Sequence, residues 1–262
     1  MNDNLYYKYR SLNAEHRENT FSIVLDAKIW FARATELMDP FEVVFSFTPE
    51  SLEESCIRTF AGVHSTSYDE AKIFYNKLIS SGKWTVEDSV RQTINVQKRK
   101  LLICSLTKDN ENILMWSHYA SNHRGICIEF CIKDDYNFYE QSGHNINCDR
   151  CLYEVEYSEN LCTVDLNAEN PASELKKAPT RKYCDWKYEK EYRLILMDNG
   201  NSTTKGELIP FNRKILTGIF MGMDISVDDK NYCSSICKEL GIALYSSKRD
   251  PNRYGIIHER VL

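Results

Sequence analysis

Hydrophobic and polar positions alternate with a period of two over several short stretches of the chain, the pattern of strands with one face in a core. Leu5 to Tyr9 is the first and ends at Arg10. Lys28 to Ala32, Leu101 to Leu106, Ile126 to Phe130 and Cys151 to Tyr157 follow, then Leu208 to Phe211, Ile215 to Met221, Ile242 to Ser246 and a tail strand from Gly255 to His258. The most unusual is Trp186 to Leu196. Trp186, Tyr188, Tyr192, Leu194 and Leu196 fall on one side with Lys190 out of pattern, while Glu189, Glu191 and Arg193 fall on the other with Ile195. The spacing predicts one continuous strand presenting three charges on one face.

Helical spacing predicts a first helix through Phe21, Ile23, Val24 and Leu25, with Ser11 or Asn13 as its cap. A short amphipathic helix runs from Ile113 to Ala120, and Val227 to Leu240 forms a third, with Gly241 at its end. Pro40 forces a turn after Asp39, which can accept from nearby amides. Gly125, closing the turn Ser121 to Arg124, is expected to take a positive φ. From Pro49 to about Lys100 the chain is polar and helical in pattern, with a break at Gly82. This reads as a helical insertion that serves as a lid or partner surface. Asp134 to Asn147 and Asn160 to Glu174 read as loops.

Eight or nine strands with few long helices between them predict an α+β fold with a mixed or antiparallel sheet core, not a doubly wound one. Residues 1–262 are expected to form a single α+β domain with the helical insertion at about 50–100. No internal repeat, Gly-rich phosphate loop or nucleophile elbow is present.

Composition narrows the function. A net charge of −5 argues against a general polyanion binder, although a local basic groove stays open. No apolar run is long enough to span a bilayer, and Met1 to Leu5 lacks the basic and apolar regions of a secretory signal, so a cytoplasmic location without membrane contact is expected. The ten cysteines are then expected to be reduced thiols. Cys104, Cys127 and Cys131 read as small core residues, and Cys233 and Cys237 as two buried thiols on a helix. Cys148 and Cys151 have metal-ligand spacing, with His144 before and Cys162 after, but the second pair that makes such spacing specific is missing.

Candidate chemistry centres on Glu189, Glu191 and Arg193, whose alternative is a solvated strand face or a structural ion pair. His118, His123 and Glu129 are candidate acid–base groups or metal ligands, with packing roles as the alternative for each; Tyr119 joins His123 and Glu129 as the best polar cluster of the middle region. Lys176, Lys177, Arg181 and Lys182 can hold a phosphate or form a solvated basic face.

Four segments together resemble a bacterial family, domain of unknown function 2971. They are Tyr7-Lys8-Tyr9-Arg10; Asp39-Pro40-Phe41-Glu42 after an Ile-Trp-Phe strand; Met115-Trp116-Ser117-His118-Tyr119 with His123, Gly125 and Glu129; and Trp186 with Glu189, Glu191 and Arg193. Met38 departs from that family's usual Asn before Asp-Pro-Phe. More distantly, the order is similar to ADP-ribosyltransferases: a first strand ending in a basic residue, a helix, an aromatic second strand and a late Glu-x-Glu. That likeness implies an ADP-ribosyltransferase-like fold and NAD as substrate, with no metal. It implies Glu191 as the catalytic carboxylate and Glu189 as its substrate-orienting neighbour. Arg10 and Arg193 would face the diphosphate. Tyr9, Trp30 and Tyr119 would stack on the rings of NAD, and His123 would stand beside them.

The expected function is an NAD-dependent ADP-ribosyltransferase acting on protein or nucleic acid, as a bacterial toxin or phage-defence effector, with an antitoxin or other partner protein. The alternatives are a non-catalytic binding protein, its partner site on the insertion, and a metal-dependent nuclease-like hydrolase using His118, His123 and Glu129.

Overall fold

The computed structural model describes residues 4–133, 138, 152–165, 168–169, 171–198, 200 and 203–262. The chain opens with β1 (Leu5–Arg10), α1 (Arg17–Asp26), β2 (Lys28–Arg33) and β3 (Phe45–Phe47). Three helices follow: α2 (Pro49–His64), α3 (Tyr68–Ser80) and α4 (Val86–Lys100). Next come β4 (Leu101–Thr107), α5 (Ile113–Tyr119) and β5 (Ile126–Cys131). The short strands β6 (Leu152–Glu154), β7 (Glu156–Ser158) and β8 (Cys162–Val164) lead to α6 (Pro171–Lys177), β9 (Arg181–Tyr183) and β10 (Glu191–Met197). The chain closes with β11 (Gly206–Pro210), β12 (Leu216–Met221), α7 (Val227–Leu240), β13 (Ala243–Arg249) and β14 (Ile256–Arg260).

Ten strands form one mixed sheet in the order β11-β2-β4-β1-β5-β12-β13-β14, with β10 and then β6 branching from β4. Only β12 and β13 run parallel within it; the other pairings are antiparallel. Fourteen described strands exceed the eight or nine expected. The extra ones are three-residue pieces too short to show alternation: β3, β8, β9, and the Cys151–Tyr157 stretch broken at Val155.

One face of the sheet packs on α1 and α7 through Phe21, Ile23, Val24, Cys233, Ile236 and Cys237, against Leu102, Cys104, Ile128 and Leu194. This is the main core. Period-two burial explains it: Leu102, Cys104 and Leu106 of β4 lie on that side, so Ser105 and Thr107 face the other way. The same alternation on β10 sends Leu194 to the core and Glu191 and Arg193 to the opposite face. There Tyr7, Tyr9, Met115, Trp116, Cys127 and Phe220 form a smaller cluster under α5.

The segment 49–100 is helical as expected. Its polar helices start at capping boxes, Ser67 with Glu70 and Thr85 with Asp88, which satisfy otherwise unpaired amides. Gly82, at φ +67°, follows α3. Two local expectations change. Neither Ser11 nor Asn13 caps α1, which starts at Arg17 after a turn in which the Asn13 carbonyl accepts from the amides of His16 and Arg17. Gly125 does not take a positive φ; Ser121, Asn122 and His123 do. Gly125 is required for space instead, since a Cβ there would lie 2.2 Å from the Arg10 carbonyl oxygen.

The Trp186–Leu196 stretch is not one strand. Cys184–Glu189 winds as a 3-10 helix, Lys190 takes a left-handed φ of 44°, and β10 begins at Glu191. A left-handed residue between two elements reverses the local direction. It still leaves Glu189 and Glu191 in reach of one partner. Among the described residues no helix is long and apolar enough to cross a membrane.

Candidate functional site

The sheet parts between β1 and β4. On one edge β4 pairs with β10 along its whole length, Leu101 to Thr107. On its other edge β2 meets it only at Leu102 and Ile103, and β1 only at Thr107. Between those bridges the Ser105 carbonyl accepts from the Lys8 ammonium over 2.8 Å, in place of a strand amide. β1 then turns away to run fully paired with β5. A cleft of about 610 Å³ opens at this parting.

Several elements supply its walls. β1 supplies Tyr7, Lys8, Tyr9 and Arg10; β4 supplies Ser105, Leu106 and Thr107; the turn after β2 supplies Glu36 to Glu42; and Lys182, Tyr183, Trp186, Glu189 and Glu191 close the far side. Met115 and Tyr119 of α5 complete it. The turn holds its shape locally, because the Asp39 carboxylate accepts from the Phe41 amide at 2.9 Å, as the Asp-Pro pair predicted. Met38 and Phe41 stand exposed at the mouth.

Five charged side chains meet behind the far wall. Arg193, with 1% of its surface exposed, donates from Nε to Glu191 Oε1 at 2.7 Å, and from one terminal nitrogen to Glu191 Oε2 at 3.1 Å and Glu42 Oε2 at 2.6 Å. Its other terminal nitrogen donates to the Pro179 carbonyl at 2.9 Å. Lys182 Nζ lies 2.6 Å from Glu189, 3.0 Å from Glu191 and 3.2 Å from Glu42. The ammonium donates to Glu189 and Glu191 and forms an ion pair with Glu42. Lys182 also sits 4.8 Å over the Trp186 ring. The Tyr119 hydroxyl donates to Glu189 Oε1 at 2.6 Å. The Thr107 hydroxyl donates to the Glu189 carbonyl at 2.5 Å and so fixes the turn into β10.

The electrostatics follow. Burial pushes the Glu191 carboxyl up, but Arg193 and Lys182 outweigh it and hold it at about 2. Burial pulls the Lys182 ammonium down, yet Glu191, Glu42 and Glu189 carry it above its usual range. The Tyr119 phenol is pushed up by burial and then by Glu189, and stays protonated. Three carboxylates against two cations leave the cluster with a net charge near −1 beside the cleft.

At the opposite wall Arg10 differs. It makes no ion pair among the described residues, and its Nε is shielded from solvent with no hydrogen-bond partner. Burial draws its guanidinium below the usual value. A shielded N–H without a partner is costly unless an acceptor meets it.

The structure therefore brings Tyr9, Arg10, Tyr119, Glu189 and Glu191 to one cleft, and places Arg193 directly behind Glu191 rather than in the opening. Two expected residues lie elsewhere. Trp30 is on the solvent side of β2, 43% exposed and packed over Gly206. It lies toward the β11 edge of the sheet, where β2 pairs with β11, and is not among the residues that line the cleft. His123 stacks on Trp116 at 6.1 Å and is not among the residues that line the cleft. Glu129 accepts from the Thr217 hydroxyl at 2.7 Å and stands beside Tyr7. Among the described residues no group of three or more His, Cys, Asp or Glu is placed to hold a metal. Cys148, Cys151 and His144 lie outside the described residues. Within the basic run only Lys182 reaches the cluster; Arg181 pairs with Glu156 and Lys177 with Glu174.

Sequence reasoning did not single out Glu42, Lys182 or Lys8 as site residues. Glu42 stood inside a quoted segment and Lys182 inside the basic run, but nothing local marks either as a partner of Arg193 or Glu191.

The model of a family described as protein of unknown function (DUF2971) matches residues 115–194. That span runs from α5 into β10 and contains Tyr119, Lys182, Glu189, Glu191 and Arg193. No curated protein matches the chain, and no solved structure does.

Proposed function

We propose that this cleft binds NAD and transfers its ADP-ribose to a macromolecular acceptor. One observation carries the reading: half-buried Arg10, which makes no ion pair among the described residues and whose shielded Nε lacks a partner, and a fixed carboxylate pair, Glu189 and Glu191, line one cleft with Tyr9 and Tyr119 among the other walls. NAD asks for that combination. Its diphosphate needs cationic donors, which Arg10 and Lys8 supply by charge-assisted bonds. Its rings pack on aromatic side chains.

The chemistry needs no proton from the protein at the bond that breaks. The bond between the ribose C1 carbon and the nicotinamide nitrogen cleaves with its electron pair going to nitrogen, which neutralises the pyridinium. Positive charge spreads onto the ribose until an acceptor nucleophile bonds to C1 and releases its proton to solvent. A carboxylate that stays ionised at neutral pH stabilises that charge electrostatically, and the Lys182 and Arg193 contacts hold Glu191 in that state. The toxin or defence role and a dedicated partner protein rest on the likeness to ADP-ribosyltransferases.

A second reading, a binding protein without turnover, is favoured by the three cationic donors that the Glu191 carboxylate already holds inside the protein. The experiment that separates the two is incubation of the pure protein with labelled NAD and a cell lysate beside a Glu189→Gln/Glu191→Gln double variant. Label transfer or nicotinamide release that is absent from the variant supports the transferase. Neither, with any protein or nucleic-acid fraction, leaves the binding protein.

A further inference from the structure

Glu189 and Glu191 are not equivalent, and the difference is in how their oxygens are used. A carboxylate offers about four lone-pair sites. At Glu191 there are three donors, all cationic: Arg193 Nε, a terminal Arg193 nitrogen and Lys182 Nζ. Both of its oxygens are held from behind by Arg193. At Glu189 the donors among the described residues are two: the Tyr119 hydroxyl on Oε1 and Lys182 Nζ on Oε2, each at 2.6 Å. Both residues line the cleft, and Glu189 is only 4% exposed. A buried carboxylate with unused acceptor sites is where a hydroxyl entering the cleft finds its partner.

We propose that Glu189 is the carboxylate that receives a ribose hydroxyl of the ligand, that Tyr119 is its positioning residue, and that Glu191 acts from behind as a fixed counter-charge. This reverses the roles implied by the likeness to Glu-x-Glu transferases, and it rests on the NAD reading above.

The local fold accounts for the reversal. In a regular strand residues 189 and 191 would stand side by side on one face. Here Glu189 ends a 3-10 helix, and left-handed Lys190 separates it from β10. Glu191 is thereby drawn into the sheet, where Arg193 grips both of its oxygens. Glu189 stays on the turn, beside α5 and its Tyr119. The phenol fixes one lone pair of Oε1 and Lys182 fixes one of Oε2, so the remaining acceptor directions are set before a ligand arrives, the kind of preorganisation that raises turnover more than affinity.

The test uses the full-length chain and NAD itself as the probe. Nicotinamide release and NAD affinity are measured for the wild type, Glu189→Gln, Glu191→Gln and Tyr119→Phe, with folding followed by circular dichroism. Glu189→Gln is expected to lose release by about a hundredfold or more while binding NAD within about threefold of wild type. Tyr119→Phe is expected to lower kcat about tenfold with KM nearly unchanged, a split that a role in folding alone would not give. Glu191→Gln is expected to lower the thermal midpoint but, assayed below it, to keep more activity than Glu189→Gln. A folded Glu191→Gln that is inactive beside an active Glu189→Gln overturns the assignment and leaves the NAD reading standing. A wild-type protein that neither binds nor cleaves NAD overturns that reading and this assignment with it.

Discussion

Arg193 and Glu42 are separated by 151 positions in the chain, and inside the protein their side chains meet at 2.6 Å. The contact ties the turn after β2, which forms one wall of the cleft, to the strand behind the carboxylates. Both groups are buried, with Glu42 at 6% exposure. Removing one partner of such a pair leaves an uncompensated charge in the interior, at a cost of about 3–5 kcal/mol. Glu42→Ala is therefore expected to lower the urea midpoint by a corresponding amount. An exposed control, Glu54→Ala, which breaks a surface pair with Arg58, is expected to change it by less than about 1 kcal/mol.

Acid should undo the same cluster. Glu191 is held at about 2 against an ordinary value of 4.5. A carboxyl whose folded value lies below its unfolded one stabilises the fold fully above the unfolded value. That contribution is lost as pH falls through the window from 4.5 to about 2. A shift of this size corresponds to about 3 kcal/mol. Denaturation curves between neutral pH and pH near 2 are expected to show stability falling in that window, with the fall shallower in Glu191→Gln.

Arg10 should behave in the opposite way to Glu42. It makes no ion pair among the described residues and its shielded Nε has no partner, so it weakens the fold that carries it. Arg10→Met keeps most of the side-chain volume and removes the charge. The expected thermal midpoint is equal to wild type or higher, the mark of a residue kept for a ligand. A clear loss of stability in Arg10→Met would point to a structural role.

The closeness of Gly125 to Arg10 gives a further check. A Cβ at Gly125 would meet the Arg10 carbonyl at 2.2 Å and the Ala120 backbone at 2.9 Å. Gly125→Ala must push the end of β1 away from the turn. It is expected to destabilise the protein by more than about 1 kcal/mol and to weaken ligand binding through displaced Arg10, both measurable on the same sample.

The thiols provide a test of the core. Burial pushes Cys233 and Cys237 up to about 12, and Cys56, Cys104 and Cys127 are also buried. In a native alkylation followed by peptide mass spectrometry these five and buried Cys162 are expected to stay unmodified, while half-exposed Cys131 and Cys184 react first among the described cysteines.

Much of this was readable before the fold was known, and the unread parts share a cause. The strand ending at Arg10, the Asp39 turn and the helix closed by Gly241 depend on neighbours a few residues away, and local pattern carries that information. The Lys190 turn was hidden because its left-handed conformation falls on a lysine, where sequence rules look for glycine. Trp30 and His123 were placed by residue type alone; Trp30 packs over Gly206 toward β11 and His123 stacks on Trp116, and neither lines the cleft. Glu42 and Lys182 were missed because their partners come from distant parts of the chain, and a single sequence records no such pairing.

The most direct measurement is the binding of NAD to the folded wild-type chain by titration calorimetry, with Arg10→Met beside it. The account predicts saturable binding to the wild type and a loss of affinity of about tenfold or more in the variant, from one missing charge-assisted contact. No saturable heat with wild type, or equal affinity in the two proteins, would contradict it.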